Sequence, residues 1–302
     1  MATPILIAGP TGGGKSRLAL DVARRTNGLV INADSMQVYG ELSILTARPR
    51  PDDLASVPHS LYGHVPISEA YSVGRWITDI AAVLADAETS GLRPIIVGGT
   101  GLYYRALTEG LAQVPDVPSS IRTWWRERAA TLPTSELHGL LAQRSSAEAA
   151  RLNPTDRNRI LRALEVIDGT GRTLPEWQSE AASSALVDTN EAISIVVSPP
   201  RTELYDSING RFLTMLDEGA LDEARGIANL HLDPALPGTK SIGLSALLAH
   251  LAGEIELDEA IVRAQTQTRN YAKRQSTWFR NQMPDWRHAS PTEVAELLTA
   301  VD

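Results

Sequence analysis

The chain has no cysteine. That excludes disulfides, thiolate metal sites and a cysteine nucleophile, and it fits a reducing compartment. No apolar run approaches the roughly 18 residues that a membrane helix needs. Met1-Ala2-Thr3-Pro4 is followed only by Ile5-Leu6-Ile7-Ala8 before glycines begin, so no secretory leader is expected. Repeats and low-complexity tracts are also missing. A cytoplasmic protein with no membrane partner is the expectation. Positive charge is the scarcer sign: 28 Lys and Arg against 36 Asp and Glu leave a net charge of −8. That balance opposes indiscriminate coating of nucleic acid but leaves room for a local basic stripe. What the chain does have is a 43% hydrophobic content over 302 residues, enough for one large domain or two smaller ones.

The first third alternates short β-branched runs with helical periodicity. Residues 4–8, 29–32 and 93–97 read as strands, and 15–26 and 73–89 as helices. Such alternation predicts a parallel sheet covered on both faces. Strand signal then fades between 114 and 192. Helices are predicted there at 121–130, with Ser119 as N-cap, at 135–144, and at 156–167, stopped by Gly169 and Gly171. A strand at 193–197 returns to the sheet, followed by helices at 203–218, 221–228, 244–251 and 257–278. The predicted class is α/β: a parallel sheet of the P-loop NTPase kind with helices on both faces, plus a helical insertion domain. The core would comprise 1–113 and 193–302, and the insertion 114–192.

Gly9-Pro10-Thr11-Gly12-Gly13-Gly14-Lys15-Ser16 fits G-x-x-x-x-G-K-[ST] between a predicted strand and a predicted helix. Glycines let the backbone wrap a phosphate and aim N–H groups at it. The helix N-terminus adds positive potential, and Lys15 a point charge. Ser16 offers a hydroxyl to a Mg²⁺ ion bridging two phosphates. The loop predicts binding of a diphosphate or triphosphate without saying what happens to it.

Asp34 closes the second predicted strand, at the sheet end that faces the ligand crevice. It suits a general base, a water-mediated Mg²⁺ ligand, or a cap on the next turn with Ser35. The strand ending at Val97 runs into Gly98-Gly99-Thr100-Gly101 rather than an acid. The acid of a motor ATPase is missing there, and no Asn-Lys-x-Asp sequence reads guanine. Thr100 offers a crevice hydroxyl or a turn cap.

Between 263 and 287 lie six basic residues and one acid, Asp285. Arg269, Lys273 and Arg280 share a helical face, with Tyr271, Trp278 and Phe279 interleaved. This suits either phosphate contacts with aromatic stacking or a solvated helix face. Arg122, Arg126, Arg128, Arg157, Arg159 and Arg162 add positive charge within the insertion.

Taken together, the P-loop, Asp34-Ser35-Met36-Gln37-Val38-Tyr39, Thr46-Ala47-Arg48-Pro49 and Val97-Gly98-Gly99-Thr100-Gly101-Leu102-Tyr103-Tyr104 resemble bacterial tRNA dimethylallyltransferases, also called tRNA isopentenyltransferases. Further matches are Arg162-Ala163-Leu164-Glu165, Arg211-Phe212 with Met215-Leu216, Ser241-Ile242-Gly243, and Thr268 through Trp278. They run in family order over nearly the whole chain. The resemblance implies transfer of a dimethylallyl group from dimethylallyl diphosphate to N6 of the adenosine 3′ to the tRNA anticodon. It implies that the P-loop with Mg²⁺ on Ser16 holds the diphosphate, that Asp34 accepts hydrogen from the amine, and that Thr100 and Arg211 steady the leaving group. Asp34, Ser35, Met36, Gln37 and Thr100 would read the flipped base. Arg122, Asn158, Arg159, Ile160, Leu161 and Arg162 would touch the anticodon stem-loop. Lys240, Ser241, Gly243, Arg269, Lys273 and Arg274 would add tRNA contacts to a monomer.

Family members commonly have Gly-Thr-Ala-Lys-Pro where this chain has Leu45-Thr46-Ala47-Arg48-Pro49. Leucine does not freely adopt φ > 0, so the turn is expected to differ in shape. Arginine keeps the charge and changes its geometry. The competing readings are an isopentenyltransferase acting on free adenylate, which needs neither insertion nor basic helix, a P-loop small-molecule kinase, and a noncatalytic RNA-binding protein.

Overall fold

The computed structural model describes residues 2–112, 114–180 and 185–301. The described chain forms two compact units, one up to Thr108 and again from Leu186, the other from Glu109 to Ala185.

The larger unit is built on β1 (Ile5–Ala8), α1 (Lys15–Arg25), β2 (Gly28–Asn32), α2 (Pro51–Ser56), β3 (His59–Ser60), α3 (Val73–Thr89), β4 (Arg93–Gly98) and α4 (Gly101–Glu109). All pairings among the six strands are parallel, in the order β3-β2-β4-β1-β5-β6, with β5 (Ile193–Val197) and β6 (Arg287–Ala289) coming later in the chain. Central β1 sets Ile5 against Ile95 on one side and Ile193 on the other. Its residues are all fully buried, as expected for a strand covered on both faces.

Alternation along the strands sorts the core into two layers. Leu6, Ile31, Ile96 and Val196 face Trp76 and Ile80 of α3 and Tyr103 and Tyr104 of α4. Ile5, Ile7, Val30, Ile95 and Val197 face Leu18, Ala19, Val22 and Ala23 of α1. Helix α3 starts where Ser72 Oγ accepts from Arg75 N–H, and it buries Trp76, Ile80, Leu84 and Ala87 on one stripe.

The helical unit holds α5 (Ser119–Thr131), α6 (Thr134–Arg144), α7 (Ser146–Arg151), α8 (Arg157–Thr170) and α9 (Leu174–Glu180). Its own core joins Trp125, Leu137, Leu141, Ile160, Ala163 and Leu164. Trp125 Nε1 donates to Asp168 Oδ2 at 3.1 Å, and Arg144 pairs with the same carboxylate. The unit begins and ends several residues earlier than 114–192. Leu186 and Val187 both donate backbone N–H to Leu107 O, which returns the chain to the larger unit before β5.

After β5 come α10 (Arg201–Asp217), α11 (Ala220–Ala228), α12 (Leu244–Leu251) and α13 (Leu257–Gln282), then β6 and α14 (Pro291–Thr299). Helix α14 opens with a capping box between Ser290 and Glu293 and with Pro291 in its first turn.

Candidate active site

The phosphate loop joins β1 to α1. A Cβ on Gly9 (φ 145°) would sit 2.6 Å from Val197 O, so a larger residue would push the loop off β5. Gly14 caps α1 in the left-handed region, exposed and with open space beside it, which leaves room for an anion at the helix N-terminus. Lys15 is partly buried, and its Nζ donates to Pro10 O at 2.7 Å. Burial pushes its ammonium down to about 8, while Asp34 pulls it up and the Arg211 charge lowers it further. Arg211 reaches in from α10, with Nη2 donating to Thr11 Oγ1 at 3.1 Å. Its pKa is also lowered by burial, against the pull of Asp34.

Asp34 is held at the end of β2 by Asn32, which is fully buried. Asn32 Oδ1 accepts from Asp34 N–H, and Asn32 Nδ2 donates to Asp34 O and Leu61 O. Trp76 Nε1 bonds Asn32 O from beneath. The Asp34 carboxylate divides its work: Oδ1 accepts from Met36 N–H at 2.9 Å, and Oδ2 makes no hydrogen bond among the described residues. Thr100 Oγ1 accepts from Ser35 N–H at 2.9 Å and lies 3.3 Å from Ser35 Oγ. Its hydroxyl therefore ties the turn after β4 to the turn behind Asp34.

Cradle and acid lie at the same end of the sheet. Lys15, Ser16, Asp34 and Arg211 line one cleft of about 500 Å³. A second cavity of about 360 Å³ is lined by Ser35, Met36, Lys240, Ser241, Tyr271 and Arg274. Thr11, Asp34, Thr46, Arg211 and Met215 belong to both walls. An anion in the first cavity and a base in the second would meet at Asp34 and Arg211. Lys15 and Arg211 supply cationic groups and Asp34 an acceptor around that junction, which suits expulsion of an anionic leaving group toward Lys15 as a nucleophile loses a proton to Asp34.

The IPP transferase family profile matches residues 37–282, and the isopentenyl transferase profile matches residues 3–64. A tRNA dimethylallyltransferase of Mesorhizobium japonicum is 50% identical over 97% of this chain and 91% of its own. The chain belongs to the tRNA dimethylallyltransferase family. Among solved structures, the full-length tRNA isopentenylpyrophosphate transferase of Bacillus halodurans superposes with a TM-score of 0.70 at 29% identity, covering 99% of this chain and 95% of that one. A eukaryotic dimethylallyltransferase acting on tRNA gives a TM-score of 0.81 at 26% identity, over 97% of this chain and 75% of its own.

Leu45, where the family commonly has glycine, does not carry the left-handed geometry; Ala47 does, at φ 52°. Leu45 instead packs into the core, and its N–H donates to Glu223 Oε1. Glu223 Oε2 also accepts from Ser43 N–H, Ser43 Oγ and Ile44 N–H. Gln37 Nε2 donates to Thr46 O and Ala47 O from the other side of the loop. Gln37 therefore braces the cleft wall. Arg48 Nη1 donates to Tyr39 O at 3.3 Å, with its guanidinium over Gly63.

Several residues matched to the family's tRNA contacts, and Arg157 beside them, also make structural contacts of their own. Ile160 is wholly buried in the core of the helical unit, and Leu161 packs partly against it. Gly243 is a buried left-handed cap of α12 whose Cβ would meet Phe212 at 3.1 Å, so its place is dictated by the turn. Arg157 donates to Ala129 O, Leu132 O and Thr134 Oγ1, closing the end of α5. Arg269 is tied to Asn209 and Thr266. Ser241 is buried but lines the second cavity. Arg122, Asn158, Arg159 and Arg162 remain exposed on the helical unit, and Lys240, Lys273 and Arg274 on the larger one. Arg159 and Arg162 pair with Asp156 and Glu165.

Three residues of the site escaped the sequence reading: Asn32, Glu223 and Gln275. Asn32 left one signal, an amide at the end of an otherwise apolar strand. Gln275 falls within the family-matched stretch from Thr268 to Trp278, which assigned it no role, and Glu223 sits in an ordinary amphipathic helix and left no signal.

Proposed function

We propose that this protein transfers a dimethylallyl group from dimethylallyl diphosphate to N6 of the adenosine on the 3′ side of the tRNA anticodon, yielding N6-isopentenyladenosine and diphosphate. The observation that carries this reading is the cleft lined by Lys15, Ser16, Asp34 and Arg211, in which Asp34 and Arg211 also line the adjoining second cavity. Family membership supports it.

Lys15, Arg211 and the N–H groups of the loop would hold the diphosphate. The amine lone pair forms a bond to the allylic carbon as its C–O bond breaks, and that electron pair leaves with the diphosphate. Clustered positive charge stabilises the departing anion. The N6 proton passes to Asp34 Oδ2. The base must leave its stack to reach the second cavity, at a cost of a few kcal/mol. Ser35 and Met36 line the space it would enter.

A Mg²⁺ ion fits the donor set. No cluster of three or more His, Asp or Glu groups could cage a metal among the described residues. The exposed Ser16 hydroxyl in the first turn of α1 suits an ion held chiefly by phosphate oxygens. When bound, such an ion neutralises diphosphate charge.

Arg122, Asn158, Arg159 and Arg162 on the helical unit would contact the anticodon stem-loop, with Lys240, Lys273 and Arg274 contributing from the larger unit. Among the described residues no helix is long and apolar enough to cross a membrane. A cytoplasmic monomer fits these features. The test is mass analysis of tRNA incubated with the protein, Mg²⁺ and dimethylallyl diphosphate. One prenyl group on the adenosine beside the anticodon is expected. Prenylation of AMP with tRNA left unmodified would replace this reading with the free-nucleotide one.

A further inference from the structure

Gln275 lies on α13, 5% exposed, beneath the site. Its Oε1 accepts from Thr11 N–H at 2.9 Å, and its Nε2 donates to Gly99 O at 2.8 Å. Thr11 is the phosphate-loop residue whose hydroxyl receives Arg211 Nη2. Gly99 belongs to the turn after β4, which is bonded to the acid's strand: Ala33 N–H donates to Val97 O and Thr100 N–H to Ala33 O. One amide therefore connects the leaving-group half of the site to the acid half.

The fit around this amide is tight. A Cβ on Gly99 would lie 2.3 Å from Gln275 Nε2, and one on Gly101 would lie 2.2 Å from the Trp278 ring. Helix α13 thus presses two side chains, one turn apart, onto the turn that follows β4 and the first residue of α4. The Thr11 N–H, which a phosphate loop could direct at its ligand, is committed to Gln275 instead. Both polar ends of a buried glutamine are consumed in fixing distances between backbone segments.

We infer that Gln275 is a positioning residue for the transfer reaction, registering the phosphate loop and Arg211 against the turn that backs Asp34. It touches neither reactant, and it acts through Thr11 and Gly99. The inference rests on the prenyl-transfer reading above. Misplacing reacting groups by about 1 Å costs on the order of a hundredfold in rate, whereas a bare anion need not be aligned with the acid, so its binding should respond far less to that register.

The test uses the full chain with tRNA, dimethylallyl diphosphate and Mg²⁺, with inorganic diphosphate as the binding probe. Gln275→Ala should lower kcat by about thirtyfold or more while moving the Kd for inorganic diphosphate by less than about threefold. Gly99→Ala should also lower kcat, and the part of its loss that acts through Gln275 should vanish in the Gln275→Ala background, its methyl otherwise meeting only the Asp34 carboxylate at an ordinary contact of 3.4 Å. Gln275→Glu supplies a rescue: the protonated acid can accept from Thr11 and donate to Gly99 O, while the carboxylate cannot donate. Its kcat relative to wild type should rise as pH falls, and that of Gln275→Ala should not. Wild-type kcat in Gln275→Ala, additive losses, or a Gln275→Glu profile parallel to Gln275→Ala would each overturn the inference. Wild-type protein that prenylates nothing would sink the functional reading instead. The tie is then read from Thr11 amide exchange, which should be at least tenfold faster in Gln275→Ala, and unchanged exchange would remove it.

Discussion

Asn32 and Asp34 exchange two hydrogen bonds across one residue: Asn32 Oδ1 takes the Asp34 N–H at 2.8 Å, and Asn32 Nδ2 reaches the Asp34 carbonyl at 2.9 Å. The clamp fixes the backbone from which the acid projects, and the Oδ1 bond to Met36 N–H fixes its side chain. Fold and chemistry can therefore be separated. Asp34→Asn keeps an oxygen for Met36 and loses the proton acceptor, so melting should shift little while kcat falls about a thousandfold. Asn32→Ala strands two carbonyls and an N–H in a buried site. It should cost about 2–3 kcal/mol in denaturant unfolding and lower kcat as well. Full activity of Asp34→Asn with tRNA would exclude it as the base.

Lys15 makes diphosphate binding pH-dependent. Burial depresses its pKa to about 8 in the free protein, so the ammonium is charged below that pH and loses its charge above it. An anion stabilises the charged form. The Kd for inorganic diphosphate should therefore rise as pH climbs through about 8, steepening toward roughly tenfold per pH unit. Lys15→Arg stays charged and should flatten the rise. Calorimetric titration between pH 7 and 9 reads both, and an identical pH dependence in the two proteins would remove Lys15 as the cause.

Much of this was legible in the sequence, for identifiable reasons. Buried β-branched runs marked β1, β4 and β5, and the spacing of Trp76, Ile80 and Leu84 marked α3. Helix α4 was not, because it starts at Gly101 inside what reads as a glycine turn; burial of Tyr103, Tyr104 and Leu107 decides it. Ser119 is the first residue of α5 rather than its cap, since Pro118 takes that place. Gly169 does not stop α8. It sits inside the helix because a Cβ would press on Val117 at 2.8 Å, and the left-handed Gly171 ends the helix. The late basic helix runs on to Gln282. Asp34 was readable from its strand end. Gln275 and Glu223 were not, because their partners are backbone groups far along the chain, and only the fold brings those together.

Glu223 should govern the shape of the cleft wall. Its carboxylate accepts four hydrogen bonds from Ser43, Ile44 and Leu45, and the wall continues through Thr46 and Arg48. Glu223→Gln replaces one acceptor oxygen with an NH₂ group facing N–H donors. Bonds to a charged acceptor contribute about 1.5–3 kcal/mol each, so a loss of about 2 kcal/mol in unfolding free energy is expected. With the wall loosened, KM for dimethylallyl diphosphate should rise several-fold, with kcat less affected. An unchanged KM together with the stability loss would confine Glu223 to folding.

The exposed end of the α13 stripe offers the sharpest separation of the two substrates. Lys273 and Arg274 are exposed, Arg274 sits 5.7 Å from the Tyr271 ring centroid, and Arg274 and Tyr271 line the second cavity. Against a net charge of −8, attraction to RNA has to come from such local clusters rather than the whole surface. Each phosphate contact contributes about 0.7–0.9 to the slope of log affinity against log salt. If both residues meet tRNA phosphates, the Lys273→Ala, Arg274→Ala double variant should bind tRNA more weakly at low salt, with a slope shallower by about 1.5. Inorganic diphosphate, which the proposed reading assigns to the other cavity, should bind as in wild type. A parallel slope would mean that these side chains face solvent in the complex. The weight of recognition would then shift to Lys240 and the arginines of the helical unit.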